Sequence, residues 1–429
     1  MTRIAFIGAG SVLFTLRLVE DLLSYPDLGE LELSLHDVDP ERLETAEALV
    51  AAAVARRGAP VTVHAESDRR RALAGASFVI NTIQVGGHEA TLLDFEIPAR
   101  HGLRQTIGDT LGVGGIFRAL RTIPVMQSIA DDMADVCPDA WLLNYTNPMA
   151  MLCTYVFSAT PVRNVVGLCH SVPLTIERLA GWAGVPADEV TFLVAGVNHQ
   201  AHVLRIEHDS NDLYPQIDAH LAAHPELERT LRVALYRRFG YYQTESSEHA
   251  AEYVPWVIRH PSQIEHYRTP LDEYIRRSEE NLERYAATRQ SVMAGEAVEA
   301  RGGREYAAEI VNAMETNTPA VVYGNVRNRN AIPNLPSACC VEVPCLVDRT
   351  GLRPTLVDPL PPQLVALNRT SINVCDLVVA AATEGRRDHV LHAALLDPST
   401  AAQLTIDQIA AVVEELLEAH SASLPASLR

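Results

Sequence analysis

Short apolar runs recur through the first half of the chain, each followed by a stretch whose apolar positions step by three and four. Arg3–Ile7 runs into Gly8-Ala9-Gly10-Ser11, and the next segment places Leu13, Leu16, Val19, Leu22 and Leu23 on one face. Further runs at 31–36, 61–64, 77–81, 141–144 and 162–168 read as strands, and 40–57 carries helical periodicity. A short run bounded by turn residues suits a strand, whereas steps of three and four suit an amphipathic helix. Their alternation predicts βαβ units around a parallel sheet, because a parallel connection needs a crossover helix. The expected fold class is therefore α/β, with a Rossmann-like, doubly wound domain over residues 1–190.

The pattern changes after that. Helical spacing covers 214–240, 270–290, 303–316, 361–384 and 403–420, while 190–207, 319–323 and 338–347 read as strands. A mixed α+β domain over 191–429 is the simplest account, giving a lactate/malate dehydrogenase-like arrangement with a closed interface between the two parts. Pro354, Pro359, Pro361 and Pro362 mark 353–362 as a surface loop before a helix.

Composition narrows the partners. The chain has 429 residues, with 35 Lys+Arg against 54 Asp+Glu and a net charge of −19. Such an excess repels phosphate backbones and anionic lipid surfaces, so neither a nucleic-acid nor a membrane partner is expected. No run approaches the ~20 apolar residues that span a bilayer, and the N-terminus lacks the apolar core and cleavage site of a signal peptide. Seven cysteines without a CxxC pair do not suit a disulfide framework or a zinc ribbon. A cytoplasmic, reducing location is expected.

Five turns carry candidate chemistry. Gly8-Ala9-Gly10-Ser11, between strand and helix, lets backbone approach a pyrophosphate resting on the helix N-terminus. Asp37, ending the second strand, suits adenosine ribose hydroxyls and so NAD over NADP. Leu13 stands where the full fingerprint has a third glycine, and a plain tight turn is the alternative. Asp109-Thr-Leu-Gly-Val-Gly-Gly opens a helix containing Arg121; Asp109 can accept from sugar hydroxyls, or simply cap that helix. Asn144-Tyr-Thr-Asn147-Pro148 sits where strand ends face the ligand crevice of such sheets, as a polar contact for a diol or as an ordinary turn. Gly167-Leu-Cys169-His170-Ser171 and Gly196-Val-Asn-His199 end two later strands. A thiolate and an imidazole meeting over one crevice can hold a divalent cation and leave positions open for substrate; a Cys–His nucleophilic pair or two core residues are the alternatives. Finally, Glu245, Glu248, His249 and Glu252 recur at three- and four-residue steps beside Tyr241 and Tyr242, and are expected to share one helix face.

Phe6-Ile-Gly-Ala-Gly-Ser11, Asp109-Thr-Leu-Gly, Asn144-Tyr-Thr-Asn-Pro148, Gly167-Leu-Cys-His-Ser171 and Gly196-Val-Asn-His199 occur in one order. Thr244-Glu-Ser-Ser-Glu-His249, Tyr323-Gly-Asn-Val-Arg-Asn328 and Asn334-Leu-Pro through Val341-Glu-Val follow them. Together they resemble glycoside hydrolase family 4, and within it the α-galactosidase branch, from about residue 3 to about 420. The resemblance implies an NAD- and metal-dependent glycosidase, outside the usual two-carboxylate scheme. The sugar's C3 hydroxyl is oxidised, the C2 proton is removed, the leaving group is eliminated, water adds, and the ketone is reduced again, with no net redox. It also implies Cys169 and His199 as ligands of Mn²⁺ or another divalent metal, which takes substrate oxygens beside His199. Asn147 would bond the sugar and Tyr241 would be the C2 base, with Tyr242 as its rival. Where phospho-glycosidase members resemble Cys-Asp, this chain has Cys169-His170, so the acid is His170 or a water. No arginine pattern for a sugar phosphate is evident near Thr91, which favours an unphosphorylated α-galactoside such as melibiose. α-Galacturonides, α-glucuronides and α-glucosides are the alternatives, His202 standing where relatives usually carry an aromatic. A homodimer or homotetramer is expected on the resemblance alone. A plain NAD-dependent 2-hydroxy-acid dehydrogenase would need a clamping Arg and a relayed His where this chain has Gln84-Val-Gly-Gly and Cys169-His170, and an NAD-sensing binding protein would have no use for a metal pair.

Overall fold

The computed structural model describes residues 1–298, 303 and 305–429. Thirteen strands are defined among them. The first six are β1 (Thr2–Ile7), β2 (Leu31–His36), β3 (Val61–Ala65), β4 (Phe78–Asn81), β5 (Trp141–Asn144) and β6 (Val165–Leu168). They are followed by β7 (Thr191–Ala195), β8 (His202–His208), β9 (Asn211–Asp212), β10 (Tyr242–Gln243), β11 (Ala320–Arg327), β12 (Cys340–Asp348) and β13 (Gly351–Pro354). Nine form one sheet in the order β13-β12-β11-β6-β5-β4-β1-β2-β3. The run β3-β2-β1-β4-β5-β6 is parallel throughout, as expected for the doubly wound half. Its strand order reverses between β1 and β4, so β1 and β4 open a crevice at their carboxyl ends, where ligands bind in such sheets.

Both faces of this sheet are covered, so its central strands read as continuous apolar runs rather than alternating ones. Ile4 and Phe6 pack into one core while Ala5 and Ile7 pack into the other, and all four are buried. Burying a side chain of that size contributes roughly 1.5–3 kcal/mol, which fixes the β1 register strongly.

The second half does not form a sheet of its own alone. β11 pairs antiparallel with β6 and carries β12 and β13 outward, so 320–354 continues the first sheet. A smaller antiparallel sheet, β10-β8-β7 with β9 on β8, packs its own apolar face around Val194, Val203, Ile206 and Tyr242. The expected strand 190–207 is thus two strands, β7 and β8, split by the loop that carries Asn198 and His199. The expected helix 214–240 is broken into Tyr214–Ala223, a 3-10 turn Pro225–Arg229 and Leu231–Phe239, because Pro225 cannot continue a helix. The helix expected over 303–316 runs Tyr306–Thr316; residue 304 lies outside the described residues. The loop expected over 353–362 begins instead as the end of β13. The sequence reading also missed the helix Arg387–Leu396.

Among the described residues one helix, Pro362–Glu384, has the length and overall hydropathy of a bilayer span, with a mean hydropathy of 1.3 over its best window, but Asn368, Arg369, Asn373 and Asp376 interrupt its apolar run. Half of that window is buried inside the protein, and the helix packs on Met149–Ala159 and Arg387–Leu396, so it serves here as a core helix.

Candidate active site

The β1 turn is built as a cradle. Gly8 has φ of 90°, and a Cβ there would lie 2.8 Å from the Thr82 carbonyl carbon, so glycine alone fits. A Cβ on Gly10 would lie 2.5 Å from Asp37 Oδ2, the oxygen that accepts the Gly10 N–H at 2.7 Å. Asp37 therefore braces the turn as well as facing the crevice half-buried; its other oxygen accepts the Asp39 N–H at 2.9 Å. Ser11 is the exposed residue before helix Val12–Leu22, and its side chain makes no capping bond. The first N–H groups of that helix keep their capacity for an anion.

Cys169 follows β6 of the nine-stranded sheet, His199 lies in the loop after β7 of the smaller sheet, and the two side chains meet. Cys169 Sγ lies 3.5 Å from His199 Nε2, and Glu245 Oε2 lies 3.9 Å from the same nitrogen. Thiol, imidazole and carboxylate thus offer one ligand atom each, all within 4.8 Å of one another. His199 and Glu245 both adopt left-handed backbone, with φ of 62° and 67°, which aims their side chains into this cluster. Such strain is held where the surroundings over-determine it. Here the Gln243 amide donates to the His199 carbonyl at 2.9 Å, and the Tyr253 hydroxyl donates to that of Asn198 at 3.0 Å.

Charged side chains surround the cluster. His249 lies 3.4 Å from Asp109 Oδ1 and 3.4 Å from Glu245 Oε1, with its ring edge-on to His199 at 4.4 Å. Burial works against the His249 cation, but the Asp109 and Glu245 carboxylates outweigh it and lift its pKa to about 9. Asp109, buried too, is held well below the usual carboxylate range, mainly by His249. His199 moves the other way, to about 4, through burial and the neighbouring His249 charge. It is therefore a neutral imidazole at pH 7, the form that ligates metals. Burial pushes the Cys169 thiol up, so a cation must displace its proton on binding.

Asp109 also accepts from the Asn147 amide at 3.2 Å and from Thr110 Oγ1 at 2.7 Å. The expectation that Asp109 caps the following helix does not hold. Gly112 starts it, and the Gly112 N–H donates to Asp397, a residue far along the chain, at 3.1 Å. Glu252 supports the loop from behind, accepting the N–H groups of Thr106, Ile107 and Gly108 at 2.8, 3.1 and 3.0 Å.

The family models identify the chain. The model described as Family 4 glycosyl hydrolase matches residues 3–185, and that of the Family 4 glycosyl hydrolase C-terminal domain matches 194–400. The chain belongs to glycosyl hydrolase family 4. It is 42% identical to the alpha-galactosidase of Bacillus subtilis over 99% of both chains, and 34% identical to that of Rhizobium meliloti over 99% of this chain and 89% of the other. The 6-phospho-beta glucosidase of Thermotoga maritima, solved with manganese, NAD⁺ and glucose-6-phosphate, superposes with a TM-score of 0.83 at 21% identity, covering 99% of this chain and all of the other. That likeness extends the fold match over the whole length of a family 4 glycosidase.

The structure brings together most of the residues singled out by sequence. Cys169, His199, Asp109 and Asn147 converge, and Gly8, Gly10, Ser11 and Asp37 form the neighbouring cradle. His170 stands exposed at the start of helix Ser171–Ala183. Asn144 does not face the crevice: it is buried, accepts from Asn81 at 2.8 Å and donates to the Thr146 carbonyl at 3.0 Å. Tyr241 is half-buried, whereas Tyr242 is wholly buried edge-on to Trp182 beneath the Arg232 guanidinium. The expected shared helix face is also corrected. The helix is Ser247–Glu252, capped by Ser246, which leaves Glu245 outside it and turned toward His199. Glu245 as a third candidate metal donor, His249 beside it and Glu252 behind the 106–108 loop were not assigned from sequence. The Thr-Glu-Ser-Ser-Glu-His run was the available signal.

Proposed function

We propose that this family 4 glycosidase cleaves unphosphorylated α-galactosides, and that it uses NAD⁺ and a divalent cation such as Mn²⁺ to do so. The observation that carries the reading is the Cys169–His199–Glu245 donor set, whose Cys169 follows β6 in the sheet whose β1 leads into the Gly8–Gly10 cradle. The identity to two alpha-galactosidases supports the glycone. Both groups fit the residues present: a Cβ would fill the space at Gly8 and Gly10, and three ligand types converge within 4.8 Å.

When bound, NAD⁺ would supply reversible oxidation of a sugar hydroxyl, and the cation would act as a Lewis acid on the sugar. The protein does the rest. Gly8 and Gly10 admit the pyrophosphate, Ser11 opens the helix beneath it, and Asp37 accepts from the ribose hydroxyls. Cys169 and His199 would hold the cation, with Glu245 as the third donor. Asp109, kept ionised by His249, orients the Asn147 amide, whose other hydrogen is available to a sugar oxygen. Tyr241 takes the C2 proton on its phenolic oxygen, and His170, exposed at the crevice edge, returns a proton to the leaving oxygen. Burial of Tyr242 supports Tyr241 over it as the base.

The test is hydrolysis of p-nitrophenyl α-galactoside with NAD⁺, Mn²⁺ and a thiol reductant, each omitted in turn. Loss of turnover without NAD⁺ or without Mn²⁺ is expected. Cleavage indifferent to both overturns the mechanism, and cleavage of an α-galacturonide or α-glucoside alone overturns the substrate.

A further inference from the structure

A cavity of about 360 Å³ lies against the outer side of Glu245. That volume is near the lower end of small-molecule sites, roughly 300–1,000 Å³. Glu245 and Ser171 form one wall, two residues beyond Cys169 in the latter case, so the cavity adjoins the metal donors directly. Arg178, Arg232, Arg277 and Glu248 contribute to the remaining surface, which contains no aromatic side chain.

Arg232 is the unusual member. It is 3% exposed, its NH1 donates to Thr175 Oγ1 at 3.3 Å and to the Gln243 carbonyl at 3.2 Å, and its Nε has no partner among the described residues. Nε is closed to solvent, but the side chain lines the cavity, so Arg232 stands at the wall with donor capacity beyond the two bonds made by NH1. The wall is not built for an oxyanion, however. Glu248 is a carboxylate that would repel one, and Arg277 is already engaged by Glu273 at 2.7 Å. Guanidinium donors, carboxylate acceptors and serine hydroxyls on one surface instead match hydroxyl groups, which both donate and accept. The absence of an aromatic platform disfavours a flat apolar group.

We propose that this cavity is the subsite for the leaving half of the substrate, and that it takes a neutral saccharide bearing free hydroxyls. The proposal rests on the α-galactoside reading above, with the galactosyl half held at the metal donors. Arg232 and Arg178 donate to hydroxyl oxygens of the departing sugar, and Glu248 accepts from them.

The experiment compares kcat/KM for melibiose with that for p-nitrophenyl α-galactoside in wild type, Arg178→Ala and Arg232→Lys, with circular dichroism as the control for folding. Arg178 is exposed, so its variant keeps the test intact if the Arg232 variant misfolds. The melibiose-to-aryl ratio is expected to fall at least fivefold in each folded variant. A ratio within twofold of wild type in both overturns the subsite. Wild type that cleaves neither compound refutes the α-galactoside reading instead, which separates the two failures. Melibionate, with the same galactosyl half and an anionic leaving group, is expected to be the poorer substrate; a tenfold preference for it over melibiose would make the cavity an oxyanion site and overturn the proposal.

Discussion

Truncating Glu252 should cripple the site without touching any group that meets the substrate. Glu252 is 3% exposed, and its Oε1 accepts three backbone N–H groups, from Thr106, Ile107 and Gly108, while Oε2 shares the last at 3.0 Å. Glu252→Ala orphans three buried donors at roughly 1–3 kcal/mol each. Partial relaxation and incomplete additivity bring the expected loss to on the order of 4 kcal/mol. Glu252→Gln keeps an acceptor at the Oε1 position and should cost about 1 kcal/mol. The loop so released carries Asp109 and Thr110, which order Asn147 and touch His249 and His199. Misplacing them by an ångström is expected to lower kcat about 100-fold in the alanine variant. Urea unfolding followed by circular dichroism, with kcat on an aryl galactoside, reads both effects. An alanine variant within about 1 kcal/mol of wild type, or a glutamine variant as damaged as the alanine one, would refute the reasoning.

Other outcomes follow from the same geometry. Tyr242→Phe removes a buried hydroxyl that has no partner among the described residues, so thermal unfolding should show equal or higher Tm and turnover should persist. Tyr241→Phe should instead lower kcat at least 100-fold at unchanged Tm. Mn²⁺ should raise the Tm of wild type by mass action, and Cys169→Ser, which lacks a thiolate, should abolish that rise in a thermal-shift titration. Glu342 is fully buried, and burial, opposed by Asn325 and aided by Glu245, lifts its carboxyl to about 8. A carboxyl raised in the folded state favours folding most fully below its unfolded pKa near 4.5, and this contribution is lost as pH rises through 8. Glu342→Gln should therefore match wild type at pH 5 and exceed its stability by several kcal/mol, on the order of 3–5, at pH 9; unfolding curves that stay parallel across that range would contradict it.

Much of this was legible in the sequence because the signals are local. The β1 turn needs only a strand, two glycines and a helix period in succession, and the acid 27 residues beyond Gly10 follows from the next strand's end. Cys169 and His199 could be picked out because each follows a short apolar run, but that β6 and β7 lie in different sheets left no local signal. Glu245 escaped for a local reason. Its spacing from Glu248, His249 and Glu252 mimics a helix face, but the Ser246 cap starts the helix after it and the left-handed backbone at Glu245 turns it toward His199. The attachment of β11–β13 to the first sheet escaped because β11 meets β6 through Gly324–Leu168 and Asn325–Gly167. Pairing between such distant segments leaves no periodicity to read.

In the proposed reaction the glycosidic bond breaks after proton removal at C2, not by direct displacement. The decisive measurement is complete hydrolysis of an α-galactoside by the NAD⁺- and Mn²⁺-loaded enzyme in D₂O, with NMR of the released galactose. Deuterium at C2 is the result this account predicts. Galactose retaining its original C2 proton throughout would contradict it.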